Sequence, residues 1–356
     1  IVGCGGISGV HARVLSGMDN AALTACADIV PQKAQALADQ FGCRAYDSFI
    51  GMLEGEPLDA VHICTPHHLH PMMAGEAARR GIAVFTEKPP AIDIAGWEEI
   101  KAAARLVPLG VCFQNRYNGN VLACEQILRE GLFGPLLGIR AFVTWSRGEY
   151  YYTPGGWKGR WATEGGGALI NQAIHTLDLI IRLIGRPDQV ASSIANHHLR
   201  GLIQVEDTAE VWMKRGDTTA LLYASTAYAA DAPVLLELQF QDAVLRLEDD
   251  RLELRRQGET TRLPCPSDEK MGLSYWGAGH KRCIEDFYRC LPYLETYRNN
   301  AASCEDTMQT LLKVYEQNTK ELKLDKLYNA EQVILVMEGG QDNVKGIIDK
   351  SFLSKK

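Results

Sequence analysis

The run Gly81-Ile82-Ala83-Val84-Phe85-Thr86-Glu87-Lys88-Pro89-Pro90 restricts the fold more than any other stretch of the chain. Its first half is apolar and β-branched after a helix stop at Gly81, which predicts a short buried strand. Its second half can neither continue a helix nor sit in mid-sheet, because each proline fixes its own φ and pushes the preceding residue out of the α region. Lys88 is therefore held by a stiff backbone at the carboxyl end of a strand. In an open parallel sheet that rim is where ligands bind. Position alone is equally compatible with a surface lysine at a strand exit.

The rest of the N-terminal sequence supplies the sheet. Ile1-Val2-Gly3-Cys4-Gly5-Gly6-Ile7-Ser8-Gly9 reads as a strand end, a glycine turn and a helix start, with Ser8 as the small residue of G-x-G-x-x-small. Gly3 permits the tight turn, Gly5 lets the backbone approach a pyrophosphate, and Ser8 lets the helix pack on the strand while its amides face the phosphate. Leu23 to Ala27 makes a second strand ending in Asp28, about 20 residues after the turn. A carboxylate there accepts both hydroxyls of an adenine ribose and repels a 2′-phosphate, and Ile29 and Val30 offer no arginine to hold one. The pattern favours NAD over NADP.

Beyond Asp28 the chain alternates. Helices are expected over Pro31 to Phe41, Ser48 to Leu53, Pro71 to Arg80 and Ile92 to Ala104, with strands over Arg44 to Asp47, Ala60 to Cys64 and Gly110 to Gln114. This spacing predicts a Rossmann-type, doubly wound parallel sheet. Thr65-Pro66-His67-His68-Leu69-His70-Pro71 leaves the fourth strand on the same rim as Lys88. Two prolines keep it extended, which suits a loop beside the cofactor and does not suit a metal on one helical face; His70 also suits a cap of the next helix.

After an amphipathic helix over Val121 to Arg129 and a strand over Gly138 to Trp145 comes a stretch dense in aromatics and cations: Trp145, Arg147, Tyr150, Tyr151, Tyr152, Trp157, Lys158, Arg160 and Trp161. Aromatic faces pack on sugar rings, and cations bind their oxygens; a subunit interface has the same composition. Glu164-Gly165-Gly166-Gly167 then opens a helix over Ala168 to Ile184. Ile170, Ile174, Leu177 and Ile181 form its core face, and Asn171, His175, Asp178 and Arg182 line another. Asp178 is expected to orient His175 or to pair with Arg182. Strands follow over Gln189 to Ala195, Thr208 to Met213, Thr218 to Thr226, Val234 to Phe240, Ala243 to Leu247 and Arg251 to Leu254. They predict a large, mostly antiparallel open sheet with one face on helices and one free for dimerisation.

A formal charge of −7 argues against nucleic-acid or anionic-membrane partners, which need a basic field. No apolar run approaches the roughly 20 residues of a spanning helix. The ten cysteines show no C-x-x-C pair or metal spacing, and the sequence, which starts inside a strand at Ile1, shows no signal-peptide pattern. The expectation is a reduced cytoplasmic protein without bound metal.

Gly3-x-Gly5-x-x-Ser8, the Thr65-Pro66…His70 loop and Glu87-Lys88-Pro89 together resemble the glucose–fructose oxidoreductase/inositol dehydrogenase/rhizopine-catabolism (Gfo/Idh/MocA) family over residues 1 to 323. The resemblance implies an NAD-dependent oxidoreductase of a sugar, sugar derivative or cyclitol, assembled as a homodimer or homotetramer. It places Gly3, Gly5, Gly6, Ile7, Ser8, Asp28, Ile29, Thr65, Pro66, His67, His70, Glu87, Lys88 and Asn115 around the cofactor. Lys88 matches the family's lysine beside the nicotinamide, and His175 its acid/base histidine. Asn171 stands where inositol dehydrogenases have an aspartate, so it can hydrogen-bond but not ionise.

Tyr152 is expected at the substrate from the aromatic stretch, and Arg116 and His280 are implied there with Asn171. So are Trp157, Lys158 and Trp161, which resemble the family's W-R-G-x-W with lysine for arginine, a change that keeps the charge but loses the bidentate fork. Tyr275 to Gly277, before His280, is implied near the site entrance. The expected division is an NAD-binding domain over 1–117, a substrate and oligomerisation domain over 118–296, a helix returning to the first domain over 297–323, and an extension of unknown role over 324–356. Two other readings share the architecture: a redox-neutral NAD-dependent glycosidase, and a non-catalytic regulator that senses NAD or sugar.

Overall fold

In a computed structural model of the chain, which describes residues 1–152, 156–266 and 278–319, Ile1 to Gly3 lies in the middle of a parallel sheet. Val2 bridges Ala27 on one side and Ile63 on the other. The outer positions are β1 (Ala25–Ala27) paired with β2 (Arg44–Tyr46), and β3 (Ala60–Ile63), β4 (Ala83–Thr86) and β5 (Leu109–Val111) in that order. This is the doubly wound order, whose switch point lies beside the first strand. Between the strands run α1 (Ser8–Ser16), α2 (Pro31–Phe41), α3 (Phe49–Gly55), α4 (His70–Arg79) and α5 (Ile94–Ala104). Local chemistry sets their ends: Pro31 occupies the first turn of α2 and left-handed Gly42 closes it, while Ser48 and Asp93 cap α3 and α5 through their side-chain oxygens. β5 is shorter than expected, because residues Gln114–Tyr117 wind into a 3₁₀ turn.

The second half is one eight-stranded sheet backed by α6 (Gly119–Glu130) and α7 (Ile174–Ile184). Its strands are β6 (Leu136–Thr144), β7 (Gln189–Ala195), β8 (Thr208–Arg215), β9 (Thr218–Ser225), β10 (Leu235–Phe240), β11 (Val244–Glu248), β12 (Arg251–Arg256) and β13 (Glu259–Arg262), in the order β13-β12-β11-β10-β6-β9-β8-β7. All neighbours are antiparallel except β6 and β9. Strand alternation buries Ile139, Ala141, Val143, Val211, Met213, Leu222, Leu236 and Leu238 toward the helices. The opposite face leaves Trp212 and Leu221, which are register partners, exposed. The edge strand β13 was not expected; its Glu-Thr-Thr-Arg sequence carries no apolar alternation.

The expected single helix over Ala168 to Ile184 begins instead with a π-helical turn over Ala168–Ala173 before α7 proper. α8 (His280–Cys290) packs on α1 and on the 3₁₀ turn, and Asn300 bridges Gly110 at the edge of β5. A helix starts at 305. Ile1–Leu312 form one compact unit, and a second unit begins at Lys313, whose described part, 313–319, is helical. Tyr275 to Gly277, the end of the expected last helix and the extension over 324–356 lie outside the described residues. Among the described residues no helix is long and apolar enough to cross a membrane.

Candidate active site

The glycine turn leaves room for a diphosphate. Gly3 has φ +85°, and a Cβ there would lie 2.7 Å from the Cys64 carbonyl, so only glycine lets this strand pass the end of β3. A Cβ on Gly5 or Gly6 would meet nothing within 4 Å, and both residues are exposed at the N-terminus of α1. The Asp28 carboxylate is tied to this turn, accepting hydrogen bonds from the amides of Cys4 (2.8 Å) and Val30 (2.8 Å). Two donors leave lone pairs for further hydroxyls. Open backbone amides at a helix N-terminus and an acid at the end of the second strand fit a dinucleotide.

Lys88 leaves β4 through a cis Lys88–Pro89 peptide bond. Its ammonium donates to the backbone oxygen of Asn171 at 2.8 Å and to Asn171 Oδ1 at 3.3 Å. Asn171 lies in the π turn, so the lysine from the parallel sheet reaches the segment that leads into His175. π turns interrupt the regular i to i+4 ladder and recur at functional sites. Burial lowers the Lys88 pKa, opposed by Glu87, Cys112 and Glu164. His175 is pushed well below the usual histidine range, first by burial and next by the Lys88 charge, so its ring is neutral. Its ring meets Phe113 edge to face at 5.9 Å, and its Nδ1 is buried without a hydrogen-bond partner among the described residues. Such orphans call for a ligand or a catalytic role.

One wall of this site comes from the aromatic loop. Tyr151 Oη accepts from the side-chain amides of Asn171 (3.2 Å) and Gln172 (3.1 Å). Lys158 Nζ sits 3.4 Å from the Tyr151 ring centre, and burial lowers its pKa to about 8, with the Lys88 charge acting in the same direction. Trp157 packs edge-on against His67 at 4.5 Å, and the His67 ring donates to the Glu164 carbonyl at 2.9 Å. Glu164 accepts from Asn171 Nδ2 at 2.5 Å and from the Gly159 amide.

Several residues expected here do other work. Arg116, expected at the substrate, is buried and forms a two-pronged pair with Asp178 (2.7 and 2.5 Å), its remaining donors going to Arg298 O and Ser303. Asp178 therefore pairs with neither His175 nor Arg182; Arg182 bonds Glu125 at 2.5 Å. Tyr152 is buried with Ile203 and Val205, with Trp161 packed alongside, so it is Tyr151 that faces Asn171. His70 neither caps a helix with its side chain nor faces open space. Its ring nitrogens lie 2.8 Å from the Pro89 carbonyl and 2.7 Å from the Thr65 carbonyl, which braces the two loops of the rim against each other.

Glu87, expected at the cofactor, turns inward. Its Oε1 lies 2.9 Å from His11 Nε2; His11 Nδ1 lies 2.8 Å from His62 Nδ1, and His62 Nε2 lies 3.1 Å from Tyr288 Oη. Burial acts against charge on His11, yet Cys64 and Glu87 outweigh it and raise the ring to about 10. Glu87 is likewise opposed by burial and held below the usual carboxylate range by His11. A charged His11 donates through both nitrogens, so His62, neutral by burial, accepts at Nδ1 and donates to Tyr288. Cys112 completes a buried trio with His11 and Glu87, ligand atoms within 4.8 Å of one another. His280, expected at the substrate, is buried at the start of α8 and feels Glu87, His11 and Lys88; burial lowers it to about 4. His11 and His62 were missed because α1 and β3 carry no local signal that their histidines share a partner. A separate cavity of about 530 Å³ flanks α7 at Thr176 and Leu179, reaching Asn115, Asn118 and Arg262; among the described residues Lys88, Asn171 and His175 do not line it.

Residues 1–111 match the model of an oxidoreductase family with an NAD-binding Rossmann fold, and residues 121–246 match the GFO/IDH/MocA C-terminal domain. The chain is 30% identical to inositol 2-dehydrogenase of Rhizobium meliloti over 203 residues, covering 55% of this chain and 57% of that protein. It is 28% identical to D-apiose dehydrogenase of Paraburkholderia graminis over 344 residues, 91% of this chain and 89% of the relative. The WlbA dehydrogenase of Bordetella pertussis, solved with NADH and UDP-GlcNAcA, superposes with a TM-score of 0.78 at 25% identity, covering 88% of this chain and 93% of that one.

Proposed function

The chain belongs to the Gfo/Idh/MocA oxidoreductase family, and from that premise we propose that it is an NAD-dependent dehydrogenase acting on a CH–OH group of a sugar, sugar derivative or cyclitol. The observation that carries the reading is the reach of Lys88 Nζ from the parallel sheet to the π turn that leads into His175. Relatives named for inositol and apiose, and a structural neighbour solved with UDP-GlcNAcA, support the substrate class.

When bound along Gly3 to Ser8 and Asp28, NAD supplies the hydride acceptor. The chain's own part is charge and proton placement. Asn171 takes two of the three N–H bonds of Lys88, leaving one for a substrate oxygen whose developing negative charge the ammonium stabilises. His175, neutral in its buried setting, is in the form that accepts the hydroxyl proton. Tyr151, Trp157 and Lys158 offer a polar and aromatic wall to a sugar ring.

Lys88→Met and His175→Ala are each expected to lower turnover by about 10²-fold or more while NAD binding, read by fluorescence titration, persists. Turnover of either variant near the wild-type rate, followed as NADH formed from a panel of sugars and inositols, would refute the assignment. The same reading makes the protein a homodimer or homotetramer through the sheet face on which Trp212 and Leu221 are exposed among the described residues; light scattering giving a monomer mass at working concentration would remove that part.

A further inference from the structure

Glu164 is a buried acid that no step above uses. It is 0% exposed, one residue before the glycine run. Its two oxygens are divided between two donors, the Gly159 amide and Asn171 Nδ2. An asparagine amide carries its NH₂ and its oxygen on opposite prongs. With the NH₂ directed at Glu164 and Tyr151, Oδ1 is left to face Lys88 Nζ at 3.3 Å.

We propose that Glu164 is a positioning residue for the reaction assigned above: through the Asn171 amide it keeps an acceptor, and a nearby negative charge, on the Lys88 ammonium. The inference rests on that assignment for its catalytic meaning, and on the geometry alone for the Glu164–Asn171–Lys88 chain. A protonated Glu164 would offer an O–H where an acceptor is needed. The Asn171 amide would then gain by turning its oxygen to Glu164, presenting its NH₂ to an ammonium, two donors face to face.

Burial raises the Glu164 pKa to about 7, so this exchange falls in the neutral range. The groups around it divide clearly. Lys158 lowers its pKa, Glu206 raises it, and Lys88 is itself stabilised by the Glu164 charge. Glu206 is held by the amides of Gly167 and Leu169. Tyr151 and Tyr152 lie alongside, the latter's ionisation being disfavoured by burial and by Glu164, and the His67 ring nitrogen meets the Glu164 backbone carbonyl.

The test is a charge transplant. Glu164→Gln keeps the shape but not the charge, and is expected to lower kcat by about 10²-fold with little change in NAD affinity, removing a pH-activity limb near neutrality. Adding Asn171→Asp to that variant returns a carboxylate beside Lys88 that the new side-chain amide at position 164 can serve, and is expected to restore most of kcat with the limb moved to lower pH. A merely structural Glu164 predicts no such rescue. A second readout needs no turnover: the pH dependence of Lys88 amine labelling, measured by mass spectrometry, is expected to move about one unit lower in Glu164→Gln and to return in the double variant. An unshifted labelling profile, or a single variant with wild-type kcat and pH profile, overturns the inference. If the wild type oxidises no hydroxyl substrate, the reaction assignment fails by itself and the labelling profile still decides the role of Glu164.

Discussion

Two buried glutamates flank Lys88, and they behave in opposite ways. Glu87, its chain neighbour, is pressed below the usual carboxylate range because His11 meets it directly. Glu164, across the cleft, is raised to about 7 because burial acts on it while its contacts are a backbone amide and an uncharged side chain. Burial opposes ionisation in both. What separates them is whether the contact is a cation or a neutral donor. The lower region of the site is thus a locked ion pair, and the upper region a carboxyl poised to change state near neutral pH. Environments that push like groups apart are how one fold assigns different tasks to the same residue type.

The larger break in that contrast is expected at His11. His11→Ala leaves Glu87 buried without its cation, which should destabilise the fold by about 3–5 kcal/mol, read as a lowered urea midpoint at pH 7. The loss should shrink on acidification, because a depressed carboxylate contributes stability present above its unfolded pKa and lost as pH falls toward its folded one. A midpoint within error of wild type at pH 7 would mean the pair does not carry charge.

The smaller effect has the other sign. The folded pKa of Glu164 is raised, so its contribution is fully present below the unfolded value of 4.5 and is lost as pH rises through about 7. Glu164→Gln should therefore make the protein more stable at pH 8, by up to about 3 kcal/mol, with little difference at pH 4.5. A Tm gain that did not grow between pH 5 and pH 8 would break the comparison. Together with the kinetic loss expected above, a gain in stability would mark Glu164 as held for function at a cost to the fold.

Much of the architecture was legible because it is written locally. Gly3, Gly5 and Ser8 act on neighbours in the chain, Pro31 and Gly42 bound one helix, and Pro89 and Pro90 end β4 wherever the rest of the protein goes. The residues whose buried partners the sequence did not show share a different trait. Arg116 meets Asp178 across 62 positions, His11 meets Glu87 across 76, and His70 meets the Pro89 carbonyl across 19. Each carries a side chain that suits a ligand as well as it suits a partner. Tyr151 and Tyr152 are adjacent and chemically identical; Tyr152 is buried with Ile203 and Val205, while Tyr151 packs against that cluster only partly buried.

From its sequence alone this chain is a doubly wound sheet followed by a mostly antiparallel one, with a lysine on a proline-stiffened exit and a histidine on a later helix. Those features follow from periodicity and backbone restriction, which act over a few residues. Tertiary structure decided which charges are neutralised. Arg116 and Glu87 found buried charged partners, while among the described residues Lys88 found a carbonyl and an amide, which leave its charge unneutralised by direct contact. Charge pairing depends on distances of a few ångströms between remote segments, and no spacing along the chain encodes them.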